Sequence, residues 1–164
     1  MTTAHFALGS NLGDRRAHLA SALAALAATP GIRVSAVSPV YETAPVGPPG
    51  QDDYLNAVAA LETGLAPHAL LDTFLAIERD HGRVRTERWG PRTLDLDLLR
   101  HGENTVHDER LTLPHPRLHE RAFVMIPLAA IAPDLVLADG RTAATIAASL
   151  DATGVHLRPD LALA

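Results

Sequence analysis

The chain contains neither cysteine nor lysine. Without cysteine there are no disulfides, thiol nucleophiles or cysteine-ligated zinc, which fits a reducing compartment. Without lysine there is no Walker A loop, whose Gly-x-x-x-x-Gly-Lys-[Ser/Thr] pattern ends on that residue, and no Schiff-base or general-base lysine. All fourteen basic residues are arginine. Aromatic residues make up only 4% of the chain, with a single tryptophan, Trp89. No apolar run approaches membrane-spanning length, and Met1-Thr2-Thr3-Ala4-His5 lacks the regions of a signal peptide. A net charge of −5 argues against nucleic acid or an anionic membrane as partner. The expectation is a cytoplasmic protein without nucleic-acid or membrane partners. With 164 residues, 47% of them hydrophobic, a single domain spanning 1–164 is expected.

The pattern of apolar residues alternates between strand and helix periods. His5 to Leu8 reads as a first strand stopped by Gly9. Asp14 is an N-cap for a helix with Leu19, Ala22, Leu23 and Leu26 on one face, ended by Pro30-Gly31. A half-buried strand runs from Ile32 toward Tyr41, and a proline- and glycine-rich loop covers 44–53. Tyr54 to Leu61 is a strand. Pro67 opens a helix with Leu70, Leu71, Phe74, Ile77 and His81 along its stripe, closed by Gly82. Further on, Asp95–Leu99 is a strand, 101–104 a turn into another short strand, and 111–116 extended. Arg121 to Ile131 is helical, Leu135-Val136-Leu137 an edge strand, and Thr142 to Leu150 a last helix. The mixture suggests an α+β sandwich with an antiparallel or mixed sheet covered by helices.

The most informative stretch is Arg88-Trp89-Gly90-Pro91-Arg92-Thr93-Leu94-Asp95-Leu96-Asp97-Leu98-Leu99. Side chains alternate along a strand, so Asp95 and Asp97 share a face roughly 7 Å apart at their Cα atoms. Leucines fill the other face, which makes the strand internal. Like charges so placed are costly unless cations lie between them. Arg83, Arg85, Arg88 and Arg92 crowd into ten residues just upstream. Carboxylates holding a hard divalent metal, with arginines opposite, form a clamp for a polyphosphate. The plainer alternatives are a solvated strand face and a solvated arginine loop. Tyr54 and Asn56 share a strand face and suit a flat heterocycle with amide-like edges, beside a 43–54 loop that is otherwise a connector. His115 is fixed between two prolines, at least as a structural turn. His115 and His119 do not make a zinc site.

The same stretch resembles the signature of the 6-hydroxymethyl-7,8-dihydropterin pyrophosphokinase family of folate biosynthesis. Gly9-Ser10-Asn11-Leu12-Gly13, Tyr41-Glu42-Thr43-Ala44-Pro45 with Gly47-Pro48, Tyr54-Leu55-Asn56-Ala57, Glu78, Gly82-Arg83-Val84-Arg85 and Leu113-Pro114-His115-Pro116 resemble family motifs in the expected order. The resemblance implies a ferredoxin-like α+β sandwich, with a mostly antiparallel sheet of about six strands under about four helices. It also implies an ATP- and magnesium-dependent transferase that moves pyrophosphate from ATP to the pterin's hydroxymethyl oxygen and releases AMP.

By the same resemblance Asp95 and Asp97 hold two Mg2+ ions. Arg83 and Arg92 complete the catalytic set by compensating phosphate charge. Glu78, Arg85, Arg88, Trp89, Arg92, Leu98, Arg110, Thr112, His115 and Arg121 belong to the nucleotide side. Thr43, Pro45, Val46, Tyr54, Asn56, Trp89 and Phe123 belong to the pterin side, with Tyr54 and Phe123 sandwiching the ring. ATP and hydroxymethyl-dihydropterin are the expected partners of a monomer. A non-catalytic pterin- or nucleotide-binding module and a metal-dependent phosphohydrolase are the alternative classes. Neither calls for the carboxylate pair, the arginine cluster and the pterin wall together.

Overall fold

The computed structural model describes residues 1–44, 50–82 and 93–163. Its centre is a six-stranded sheet of β1 (Thr2–Ser10), β2 (Ile32–Val37), β3 (Tyr41–Thr43), β4 (Tyr54–Thr63), β5 (Asp95–His101) and β8 (Val155–Leu157). The order is β5-β1-β4-β3-β8, with β2 also on β4, and every pairing is antiparallel. A two-stranded ribbon of β6 (Val106–His107) and β7 (Thr112–Leu113) stands beside β5. Among the described residues four α-helices cover the sheet: α1 (Arg15–Ala27), α2 (Pro67–Asp80), α3 (Ala122–Ile131) and α4 (Ala143–Ser149). The α+β sandwich expected from the sequence is present. Among the described residues, no helix is long and apolar enough to cross a membrane.

Strand alternation divides the core in two. Phe6, Leu8, Leu55, Leu61, Leu96 and Leu98 face α1 and α2, where they meet Leu19, Leu26, Leu70 and Phe74. The rings of Phe6 and Phe74 lie 5.1 Å apart at 46°, a tilted aromatic pair. On the other face Val58 and Leu99 pack against Val124, Met125 and Leu128 of α3 and Ile146 of α4. Asp14 caps α1 as expected, its Oδ1 accepting the Ala17 amide at 3.1 Å. Pro67 opens α2 at its first turn, where its missing N–H costs nothing.

Several elements differ from the sequence reading. Gly9 lies inside β1 rather than ending it. The strand from Ile32 breaks at Ser38-Pro39: Ser38 turns its hydroxyl onto the Val58 amide at 2.9 Å, and pairing with β4 resumes at Tyr41. Leu135–Leu137 makes one bridge, Val136 to Thr142, because the turn at Asp139-Gly140 folds the chain straight back. One edge strand is instead β8, which has no apolar alternation and pairs with β3 at Thr43↔Val155. The other is β5, whose leucines suggest an internal strand but whose neighbour in the described sheet is β1 alone.

One buried histidine interrupts the apolar sheet. His5 on β1 is 5% exposed, and its Nδ1 has no hydrogen-bond partner among the described residues. Burial first, and then the charge of Arg100 opposite, push its pKa down to about 4, against a smaller opposing pull from Glu62. The folded state thus binds fewer protons than the unfolded one between about 4 and 6.5. Stability rises with pH across that window and is fully present above it. We expect the wild-type chain to lose up to about 3 kcal/mol more stability than His5→Gln as pH falls from 6.5 to 4, measured by urea unfolding. Parallel pH profiles for the two proteins would contradict this.

Candidate active site

The strand order brings distant segments into one row. Asp95 pairs with Gly9, Gly9 with Asn56, and Asn56 with Tyr41, across β5, β1, β4 and β3. Directly paired residues project from the same side, so Asp95, Asp97, Ala7, Asn56, Val58 and Tyr54 share the α3 face. Toward the middle of the sheet this face is sealed by α3 over Val58 and Leu99. At the row of Asp95 it opens: Asp95, Asp97 and Tyr54 are all half-buried.

Gly9 is the floor. A Cβ there would come within 3.1 Å of Asn56 Oδ1 and 3.4 Å of Tyr54 Cδ1. The missing side chain therefore admits the amide and the ring over β1 and leaves bare backbone between them and Asp95. Asn56 is turned by Thr43, whose Oγ1 accepts its Nδ2 at 2.6 Å and thereby sets Oδ1 over Gly9. Asn11, 1% exposed, donates its Nδ2 to Gln51 Oε1 at 3.2 Å and to the Asp52 carbonyl at 3.1 Å. It ties the segment entering β4 to the end of β1.

From the opposite face α2 reaches through to the carboxylate strand. Glu78 is 2% exposed, and its Oε2 accepts the Leu96 amide, the N–H between Asp95 and Asp97, at 2.8 Å. On the outer edge the His115 amide donates to the Leu99 carbonyl at 2.8 Å. The His115 Nδ1 accepts the Arg117 amide at 3.2 Å, which leaves Nε2 as the protonated nitrogen. Burial, then Arg121 and Arg117, hold the His115 pKa below the usual imidazole value. Asp95 pulls the other way, so it lies within electrostatic reach. His115 is thus a neutral Nε2–H donor near neutral pH. Arg121 precedes α3 with its guanidinium 5.8 Å from the Phe123 ring centroid, and Phe123 packs on the smaller core.

The structure therefore brings Asp95, Asp97, Tyr54, Asn56 and Thr43 onto or beside one face, with His115 within reach of Asp95. Leu98 lies on the other face, in the core under α2, and Glu78 lies beneath the strand. Thr112 is half-buried on β7. Arg110 is exposed and paired with Asp72 of α2. Pro45, Val46, Arg83, Arg85, Arg88, Trp89 and Arg92 lie outside the described residues. From sequence alone Gly9 has only the role of a strand stop, and Asn11 none beyond its place in a motif. The only signal was a glycine in a strand two residues before an asparagine that no turn or cap uses.

Among the described residues no group of three or more His, Cys, Asp or Glu side chains could hold a metal ion. Two hard carboxylates on one face suit an ion that keeps water and takes substrate oxygens, as magnesium does.

The fold and the site together define an α+β sandwich enzyme with a carboxylate pair set across a glycine floor from a ring and an amide. The chain belongs to the 7,8-dihydro-6-hydroxymethylpterin-pyrophosphokinase family, whose model matches residues 5–133. It is 54% identical over 156 residues to the 2-amino-4-hydroxy-6-hydroxymethyldihydropteridine pyrophosphokinase of Methylorubrum extorquens, covering 95% of this chain and 98% of that one. It is 48% identical over 155 residues to the enzyme of that name from Pseudomonas aeruginosa, covering 94% and 96%. The fold matches the crystal structure of an HPPK-DHPS chain in complex with substrates, with a TM-score of 0.71 at 11% identity. That match covers 90% of this chain but only 43% of the solved one, and it speaks to the fold alone.

Glu78→Ala would leave the buried Leu96 N–H without its acceptor. It should cost about 1–3 kcal/mol in urea unfolding. Unchanged stability would show that Glu78 does not hold the strand.

Proposed function

We propose that this chain transfers the terminal pyrophosphoryl group of ATP to the hydroxymethyl oxygen of 6-hydroxymethyl-7,8-dihydropterin, with AMP as leaving group, in folate biosynthesis. The observation that carries the reading is the row Asp95–Gly9–Asn56, which sets a carboxylate pair across bare backbone from a ring and an oriented amide. Family membership and the near full-length relatives support it.

In this reading the pterin ring lies between Tyr54 and Phe123, with its amide-like edge read by Asn56 and by the backbone near Thr43. Asn56 can do this because Thr43 has already fixed which way its amide points. The hydroxymethyl group then extends over Gly9 toward Asp95. Asp95 and Asp97 would hold two magnesium ions, which supply positive charge to the phosphates and to the attacking hydroxyl. The hydroxyl oxygen bonds to the β-phosphorus as the bond from that phosphorus to the α–β bridging oxygen breaks; that oxygen leaves with AMP, and the hydroxyl proton is released to solvent. His115 donates its Nε2 proton in a hydrogen bond to a phosphate oxygen, and Arg121 adds charge beside it.

Arg83 and Arg92 would compensate the remaining phosphate charge. Arg85, Arg88 and Trp89 would close the site against water, a competing nucleophile. Arg110 and Thr112 would serve the nucleoside side, and Leu98, its side chain in the core, only through its backbone. No side chain acts as nucleophile or strong base; positioning and charge neutralisation supply the rate. The same reading makes the chain a cytoplasmic enzyme acting as a monomer.

Given ATP, magnesium and the hydroxymethyl pterin, the purified chain should release AMP and stall when the pterin or the metal is omitted. ADP as main product would contradict the reading. So would phosphate release that needs no pterin, or nucleotide uptake without turnover. Asp95→Asn and Asp97→Asn should each lower kcat by about 10²–10³-fold or more with the circular dichroism spectrum unchanged. Gly9→Ala should raise KM for the pterin about tenfold, about 1.4 kcal/mol, while KM for ATP holds. A change confined to ATP would place the pterin elsewhere.

A further inference from the structure

At the far end of β5 the described residues line an open-sided cavity of about 580 Å³ that reaches from Arg100 to His115. Asp95 opens that strand and Arg100 nearly closes it, so the cavity's Arg100 is roughly 17 Å from Asp95 along the chain direction. The volume is that of a single small-molecule site.

Its charge is out of balance. The Arg100 side chain is only 12% exposed, and its sole hydrogen bond among the described residues runs from Nη2 to Glu103 Oε1 at 3.2 Å. Glu103 is 97% exposed, and a carboxylate in bulk water compensates a buried cation weakly. A guanidinium carries five N–H donors. The others therefore have no protein acceptor among the described residues. The second carboxylate on the cavity wall, Asp139, already accepts from Arg141 Nε at 2.7 Å. Next to Arg100 across the sheet, buried His5 can supply no negative charge, and its Nδ1 has no partner among the described residues. Asn104, Thr105, His115 and His119 also line the wall, and one side of it is apolar, built from Pro114, Pro116, Leu118, Val136 and Leu137. Val136 is 57% exposed.

We propose that this cavity binds a small aromatic monocarboxylate, its carboxylate on Arg100 and its ring against Pro114, Leu118 and Val136. A guanidinium with unused donors binds a carboxylate in fork geometry, and desolvation by the apolar wall strengthens that pairing. The cavity shares His115 with the pyrophosphoryl-transfer reading, but Arg100 and Val136 have no part in that reaction, so the two readings can fail separately.

The test is an amide NMR titration of the full chain with benzoate, and with benzamide as its neutral isostere. Benzoate should give saturable shifts centred on Thr105, Leu118, Val136 and Leu137. Benzamide should bind at least tenfold more weakly, and Arg100→Met should abolish the shifts. Should Arg100→Met not fold, Val136→Trp fills the cavity from an exposed position and should abolish them equally. Benzamide binding as tightly as benzoate would overturn the proposal. Shifts centred elsewhere, shifts that persist in Val136→Trp, or no saturable shift would do the same.

Discussion

The hydrogen bond from the Leu96 amide to Glu78 Oε2, 2.8 Å long and buried, ties α2 to the strand that carries both carboxylates. It falls on the residue between Asp95 and Asp97, so it fixes which face the pair occupies. A slip of one residue along β5 would turn both acids into the leucine core and Leu96 and Leu98 out of it. The packing of Leu96 and Leu98 under α2 opposes that slip from one side, and the His115 amide on the Leu99 carbonyl does so from the edge. Two like charges can therefore stay close together on one face. A cation-binding pair requires that arrangement, and an unconstrained strand would relax away from it.

Chain topology supplies the rest of the site. Because β1 lies between β5 and β4, the glycine of Gly9-Ser10-Asn11 becomes the floor between an acid from residue 95 and an amide from residue 56. Thr43 reaches the same amide from β3. The β3 strand is held in turn by Glu42, whose Oε1 accepts from Arg158 Nη1 at 2.8 Å and whose Oε2 pairs with Arg15. Those two guanidiniums hold the Glu42 carboxyl below the usual carboxylate range. The C-terminal segment thus braces the strand beside the proposed pterin wall, although it lies outside the family-matched residues.

How much of this was legible in the sequence depends on how local the determinant is. Asp14 as a cap, the Leu19–Leu26 stripe and Pro67 at a helix start are local signals, and all three appear as read. The shared face of Asp95 and Asp97 follows from strand alternation alone. Gly9 was read as a strand stop because glycine ordinarily interrupts a strand; its role appears only once Asn56 and Tyr54 are placed over it. The β8 strand carries no pattern of its own, with His156 and Leu157 exposed, and exists because β3 offers an edge and Glu42 offers a counter-charge to Arg158. Leu135–Leu137 had the better strand composition and formed one bridge, since the turn after it closes too soon for a partner to pair. Glu78 was placed near the nucleotide from resemblance; that it holds the strand from below was visible only in three dimensions.

The central claim is that the acids of β5 and the wall of β4 face one another across Gly9 to hold metal, triphosphate and pterin together. A crystal grown with Mn2+, a non-hydrolysable ATP analogue and the hydroxymethyl pterin tests it most directly through the anomalous signal. The account predicts manganese on the Asp95 and Asp97 carboxylates, phosphate oxygens on the same ions, and the pterin between Tyr54 and Phe123. Manganese bound elsewhere, or a nucleotide seated away from those two carboxylates, would contradict it.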